Sequence, residues 1–171
     1  VLINACAVDG DEAEDDSIGS TDDGDGVAME ELVGERQLTG AELPNNTIAL
    51  TFDDGPGPRT QELAEFLASK NIRATFFING KNAPGRQKAL QAIVANGHLI
   101  GNHTRNHLDL RSLSADKVVE EIRKTDEVID DYQPRGPWLL RAPFGAWNGA
   151  TARAINATPM KKYTGSIFWN E

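Results

Sequence analysis

Three short runs in this sequence gather residue types that do chemistry together: Asp53-Asp54-Gly55-Pro56, His103-Thr104-Arg105-Asn106-His107 and Arg141-Ala142-Pro143-Phe144-Gly145. Two histidines four positions apart, joined by a carboxylate from another loop, make an N,N,O donor set for one divalent cation. Such a set leaves coordination positions for water and substrate, as catalytic zinc sites require, and the chemistry it suits is hydrolysis. Adjacent aspartates at a strand end point in different directions, so one can ligate the cation while its neighbour faces the water to be activated. Like charges that close push the two pKa values apart unless a cation intervenes. Arg141 is the candidate for that cation, since a guanidinium can hold a carboxylate bidentately and keep it oriented as a base.

Residues so far apart in sequence meet only if the intervening elements bring one end of each loop to a common face. The run TIALTF over 47–52 is short, β-rich and closed by DDGP, which predicts a buried strand ending in a functional loop. Further strands are predicted over 74–78, 98–102 and 138–141, with a fifth over 166–169. Between them, Leu63, Phe66 and Leu67 fall at helical spacing within 60–70, and Leu90, Ile93 and Val94 within 84–95, where Asn96-Gly97 supplies a left-handed stop. Ser114 can cap a long helix over 114–132 whose apolar stripe is Val118, Val119, Ile122, Val128 and Ile129. A last helix is predicted over 149–157. Strands alternating with amphipathic helices imply parallel pairing, and the three polar runs fall just after strand C-termini, where barrels and open α/β sheets place their sites. Four to five βα units are too few to close a barrel, so the expected fold class is α/β, an incomplete and deformed (β/α) barrel.

Charge is distributed unevenly along the 171 residues. The first 35 residues hold twelve acidic side chains and no Lys or Arg, whereas residues 36–171 keep all 17 basic residues against 14 acidic ones. The net −9 therefore belongs to the leading tract, which reads as a self-repelling disordered linker over 7–45, with the folded domain over 46–171. No Lys/Arg-rich run exists, which argues against a nucleic-acid partner. Cys6 is the one cysteine, so no intrachain disulfide forms. The opening Val1-Leu2-Ile3-Asn4-Ala5-Cys6 resembles the end of a bacterial lipoprotein signal, with Cys6 as the lipidated residue of a protein in the cell envelope or secreted. Membrane attachment is expected only through that anchor, because no stretch is apolar enough to span a bilayer as a helix. Nothing in the sequence speaks to oligomeric state.

In order and spacing, TFDDGP (Thr51 to Pro56), HTRNH and RAPFG resemble the first three motifs of the NodB-homology polysaccharide deacetylases, of carbohydrate esterase family 4 type. The resemblance implies Asp53 as general base, Asp54, His103 and His107 as ligands, and zinc as the divalent metal, with cobalt or manganese as substitutes. It also implies that Thr104 braces the histidine loop, Arg141 orients Asp53, and the Phe144 backbone N–H helps hold an oxyanion. Its substrate class is an acetylated polysaccharide or oligosaccharide, here N-acetylglucosamine polymers of the peptidoglycan or chitin-like kind. An O-acetyl esterase on xylan, or an inactive glycan-binding or metal-binding homologue, are the alternatives. The family's general acid, a His in a later Leu-x-His motif, has no counterpart up to Glu171, so the resemblance implies a C-terminally incomplete domain. Pro143 and Trp147 are expected to touch substrate, although Trp147 can equally be core. His98 is expected to be structural, and Phe76 and Phe77 to be core.

Overall fold

The computed structural model describes residues 34–41 and 43–169. Cys6, most of the expected linker and the last two residues, Asn170 and Glu171, lie outside the described residues. Four parallel strands, β1 (Thr51–Gly55), β2 (Thr75–Ile78), β3 (Leu99–Asn102) and β4 (Leu139–Leu140), form one sheet in the order β1-β2-β3-β4. A helix returns the chain between neighbours: α1 (Thr60–Ser69) before β2, α2 (Gln87–Ala95) before β3, α3 (Ala115–Ile129) before β4, and α4 (Gly149–Asn156) after it. Sequential order without a switch point is the arrangement of a barrel's opening arc, in line with the expected incomplete barrel.

The core lies between sheet and helices and is built from branched apolar side chains at the predicted spacings. Ile78, Ile93, Ile100, Ile122, Leu140 and Ile155 are fully buried. Alternate β2 residues face opposite sides of the sheet. Phe76 stacks on Phe52 with ring centres 5.2 Å apart, whereas the Phe77 ring lies 4.1 Å beneath the Arg141 guanidinium carbon. Phe77 reaches that position because its neighbour on β3 is Gly101, in register with it; a Cβ on Gly101 would sit 2.3 Å from the Phe77 ring.

Several boundaries differ from expectation, each for a local reason. β1 starts at Thr51 rather than at residue 47 and runs on through both aspartates, with an irregular register between Phe52 and Gly55. α2 begins at Gln87 because Gly85, at φ 78°, turns the chain just upstream. The fifth strand is absent among the described residues. Thr164 pairs with Leu139 and Ile167 with Leu38 only as single bridges, since Gly165 at φ 116° breaks the ladder between them. Those bridges also correct the linker boundary. Leu38 exchanges backbone hydrogen bonds with Ser166 and Phe168, Glu35 pairs with Arg153, and the Gly34 carbonyl accepts from Trp147, so residues 34–38 pack on the domain upstream of Asn46. Among the described residues no helix is long and apolar enough to cross a membrane.

Gly101→Ala forces Phe77 off its seat, and overpacking of this kind costs about 1–3 kcal/mol. A lowered urea midpoint with unchanged slope is expected; an unaltered midpoint would show that the Phe77 ring has room to give.

Candidate metal centre

Three strand ends deliver the predicted residues to one place. β1 carries Asp53 and Asp54 in its last turn of pleat, β3 runs directly into His103, and β4 runs directly into Arg141. His107 Nε2 approaches Asp54 Oδ1 at 3.3 Å, and His103 Nε2 approaches the same oxygen at 3.8 Å. Candidate ligand atoms of Asp54, His103 and His107 all lie within 4.8 Å of one another, and no other group of three His, Cys, Asp or Glu does so among the described residues.

The donor chemistry fits a divalent cation. The Arg141 carbonyl accepts a hydrogen bond from His103 Nδ1 at 2.8 Å, which puts the proton on Nδ1 and leaves the Nε2 lone pair facing Asp54. Burial, partly opposed by the Asp53 charge, holds the His103 pKa below the usual imidazole value. A neutral ring is the ligating form, so the close Asp to His103 approach is a donor set and not an ion pair.

Asp53 is placed for a different task. Its Oδ1 accepts from Arg141 Nη1 at 2.7 Å, while its Oδ2 stands 3.9 Å from His103 Nε2. Arg141 itself is 2% exposed; Nη1 also reaches Thr51 Oγ1 at 2.9 Å and Nε reaches the Ile167 carbonyl at 3.1 Å. The loop between the histidines is tied as expected at Thr104, whose Oγ1 accepts the His107 N–H at 3.3 Å.

Two expectations fail at the substrate side. Trp147 is 9% exposed, packs in the core and donates from Nε1 to the Gly34 carbonyl, so it offers no face to a sugar; Pro143 is buried as well. The exposed aromatic is Phe144, 64% exposed at φ 59°, with its ring edge-on to His107 at 4.5 Å. The Phe144 N–H has no hydrogen-bond acceptor among the described residues. His98 is structural: Ala74 N–H donates to its Nδ1 and its Nε2–H donates to the Ala64 carbonyl.

Sequence reasoning missed the polar residues that hold these loops. Asn79 Nδ2 donates to the His103 carbonyl at 2.9 Å, and Asn102 Oδ1 accepts the Thr104 N–H at 2.9 Å. Asn102 is in turn fixed by Tyr163, whose hydroxyl donates to Asp126 at 2.7 Å; burial pushes the Tyr163 pKa up and keeps it a donor. The available signal was position: Glu121, Thr125 and Asp126 occupy turns of α3 between its apolar stripe residues and are buried. A surface cavity of about 930 Å³ along α1, lined by Gly57, Pro58, Leu63 and Phe66 among others, includes none of the site residues. Convergent donors, rather than cavity size, locate the chemistry.

Fold and site together define an α/β protein with a three-donor candidate cation site at the carboxyl ends of parallel strands. The family model described as polysaccharide deacetylase matches residues 40–163, and the chain belongs to that family. It is 35% identical over 115 residues to a chitooligosaccharide deacetylase of Rhizobium leguminosarum bv. trifolii, covering 66% of this chain and 54% of that one. A peptidoglycan-N-acetylglucosamine deacetylase of Bacillus cereus is 37% identical over 99 residues, covering 57% and 36%. A family 4 carbohydrate esterase from Streptomyces lividans, solved in complex with acetate, superposes with a TM-score of 0.60 at 31% identity, covering 74% of this chain and 62% of that one. The chain spans about half the length of the curated relatives it matches.

The depressed His103 pKa gives a signed pH dependence for the metal-free chain. The unfolded chain takes up the proton first, so the stability His103 contributes is complete above the ordinary imidazole value of about 6.5 and is lost as pH falls below it. Long-range ¹H–¹⁵N spectra should show the Nδ1–H tautomer of His103 and a titration midpoint below that value. An Nε2–H tautomer, or a midpoint above it, contradicts the assigned donor geometry.

Proposed function

We propose that this chain provides the metal-binding and base-bearing part of a hydrolase that removes N-acetyl groups from N-acetylglucosamine polymers. Asp54, His103 and His107 hold one divalent cation, zinc in the first instance. The names of the relatives support the substrate class: chitooligosaccharide, chitin and peptidoglycan N-acetylglucosamine deacetylases. The observation that carries the reading is the split use of Asp53, one oxygen fixed by Arg141 at 2.7 Å and the other turned toward the ligand cluster.

A divalent cation held by Asp54, His103 and His107 would supply Lewis acidity at the acetyl carbonyl and would lower the pKa of water beside it. The chain's own groups do the rest. Asp53 Oδ2 takes the proton from the attacking water, and Arg141 keeps the carboxylate from rotating away as it does so. Attack makes a tetrahedral carbon whose oxygen carries the charge, and the Phe144 N–H is the backbone donor at that side of the site. Collapse breaks the C–N bond as the leaving nitrogen takes up a proton, in balance the one Asp53 removed from the water, and releases acetate and the free amine. His98 cannot serve as the acid, since both its ring nitrogens are engaged. The exposed Phe144 ring beside His107 gives a sugar's apolar face a surface to lie on. A lipidated placement at Cys6, in the envelope and behind the acidic tract, remains part of this proposal.

Asp53→Asn should keep zinc affinity and lose acetate release from chitooligosaccharides by about 10²-fold or more, as removal of a general base does. Asp54→Asn should lose zinc first. Equal zinc affinity in the two variants, measured by competition with a chromophoric chelator, would contradict this division of roles. Faster acetate release from acetylxylan than from chitooligosaccharides would move the reading to an O-acetyl esterase.

A further inference from the structure

The loop from His103 to His107 contains two non-glycine residues in the left-handed region, Thr104 at φ 63° and His107 at φ 59°. Such conformations are strained and persist only where the surroundings over-determine them. Between the two sits Asn106, exposed to solvent, and beneath it Glu121 of α3, a carboxylate only 7% exposed. Glu121 forms no ion pair with Lys or Arg among the described residues. A buried carboxylate without a cation must be satisfied by hydrogen bonds. Both its oxygens are spent on one residue: Oε2 accepts the Asn106 N–H at 2.7 Å and Oε1 accepts Asn106 Nδ2 at 2.6 Å. The Glu121 backbone carbonyl takes the Arg105 N–H as well, at 3.0 Å. One helical residue therefore fixes two consecutive peptides between the two histidines, and α3 is itself anchored in the core by Val118, Ile122 and Ile129.

We propose that Glu121 is a positioning residue for the cation site, chelating Asn106 so that His107 is held in its left-handed conformation and aimed at Asp54. The proposal rests on the metal reading above. Charge at Glu121 is not the operative property; the double hydrogen bond is. A Gln at this position retains both contacts once the exposed Asn106 amide turns over, its Oε1 accepting the Asn106 N–H and its Nε2 donating to Asn106 Oδ1.

The test compares zinc affinity by chelator competition, the visible spectrum of the cobalt-loaded chain, and thermal unfolding of the metal-free chain. Glu121→Met replaces a buried carboxylate with an apolar side chain of similar length, so metal-free stability should hold or rise. Its zinc Kd should nevertheless increase about 10–100-fold, as loss of an outer partner of a ligand does, with an altered cobalt spectrum. Glu121→Gln should stay within about threefold of the parent chain, well short of that loss. If Glu121→Met does not fold, Asn106→Ala, at an exposed position, is read in its place, with weakened zinc binding and unchanged unfolding expected. Parent-like zinc affinity in whichever of Glu121→Met or Asn106→Ala is read, or a Gln variant as weak as the Met variant, overturns the proposal. His103→Ala separates the two readings: if the parent chain holds no zinc, or His103→Ala binds it equally well, the metal assignment itself fails.

Discussion

The site depends on the burial of one guanidinium. Arg141 is almost entirely withdrawn from water, and a charge in that position survives only if its donors are used and its counter-charge is close. The acceptors that use them lie on separate segments: Thr51 and Asp53 on β1 and the Ile167 carbonyl near residue 169, with the Phe77 ring of β2 against the guanidinium face. The same residue's carbonyl sets the His103 tautomer. Placing Arg141 thus fixes both the base and a ligand, and it explains why β4 can be only two residues long yet well determined. Gly101 belongs to the same constraint, because any side chain there would push Phe77 out from under the charge.

Backbone strain collects around this point. Asp54, Thr104, His107 and Phe144 all take φ between 59° and 63°, one or two at each loop that borders the cluster. An L-residue adopts that region at a cost of roughly 1–2 kcal/mol, so each needs a restraint. Asn82 donates to the Asp54 carbonyl, Asn102 takes the Thr104 N–H, Thr104 takes the His107 N–H, and the turn over Pro143–Gly145 is closed by Gly145 and Ala146. The strained peptides turn the functional groups toward one another, and the hydrogen bonds hold them there before any ligand arrives.

What the sequence made legible follows from where physics is local. Apolar periodicity located the four helices and four of the five strands, since burial alone decides them. The ligand set was legible because donor chemistry narrows the choice to few residue types, and Arg141 because a cation inside an apolar run has to be paired. Boundaries shifted where a single residue takes a special conformation, Gly85 before α2 and Gly165 before the expected fifth strand, which does not form among the described residues. Trp147 and Pro143 were misjudged for a tertiary reason. The left-handed turn at Phe144 throws that ring outward over His107 and leaves its neighbours facing in, and no pattern of residue types announces φ. Part of the expected linker was misread because its acidic, weakly apolar composition hides Leu38, which finds Ile167 only in the folded chain.

α3 shows most clearly why a stripe of apolar residues understates what a helix does. Val118, Ile122 and Ile129 supply the burial that seats it, while Glu121 and Asp126 on the same buried side face the loop ends and reach Asn106 and, through Tyr163, Asn102. Glu121, Asp126, Tyr163 and Asn102 all lose hydration, and a wholly apolar face would pack with less penalty. The cost is acceptable because the neighbouring apolar contacts offset it, and because the loops they hold cannot bury enough of their own surface to stay in place. A sequence optimised for stability alone would therefore drift toward Met or Leu at these positions and release the very turns that bring the histidines to Asp54.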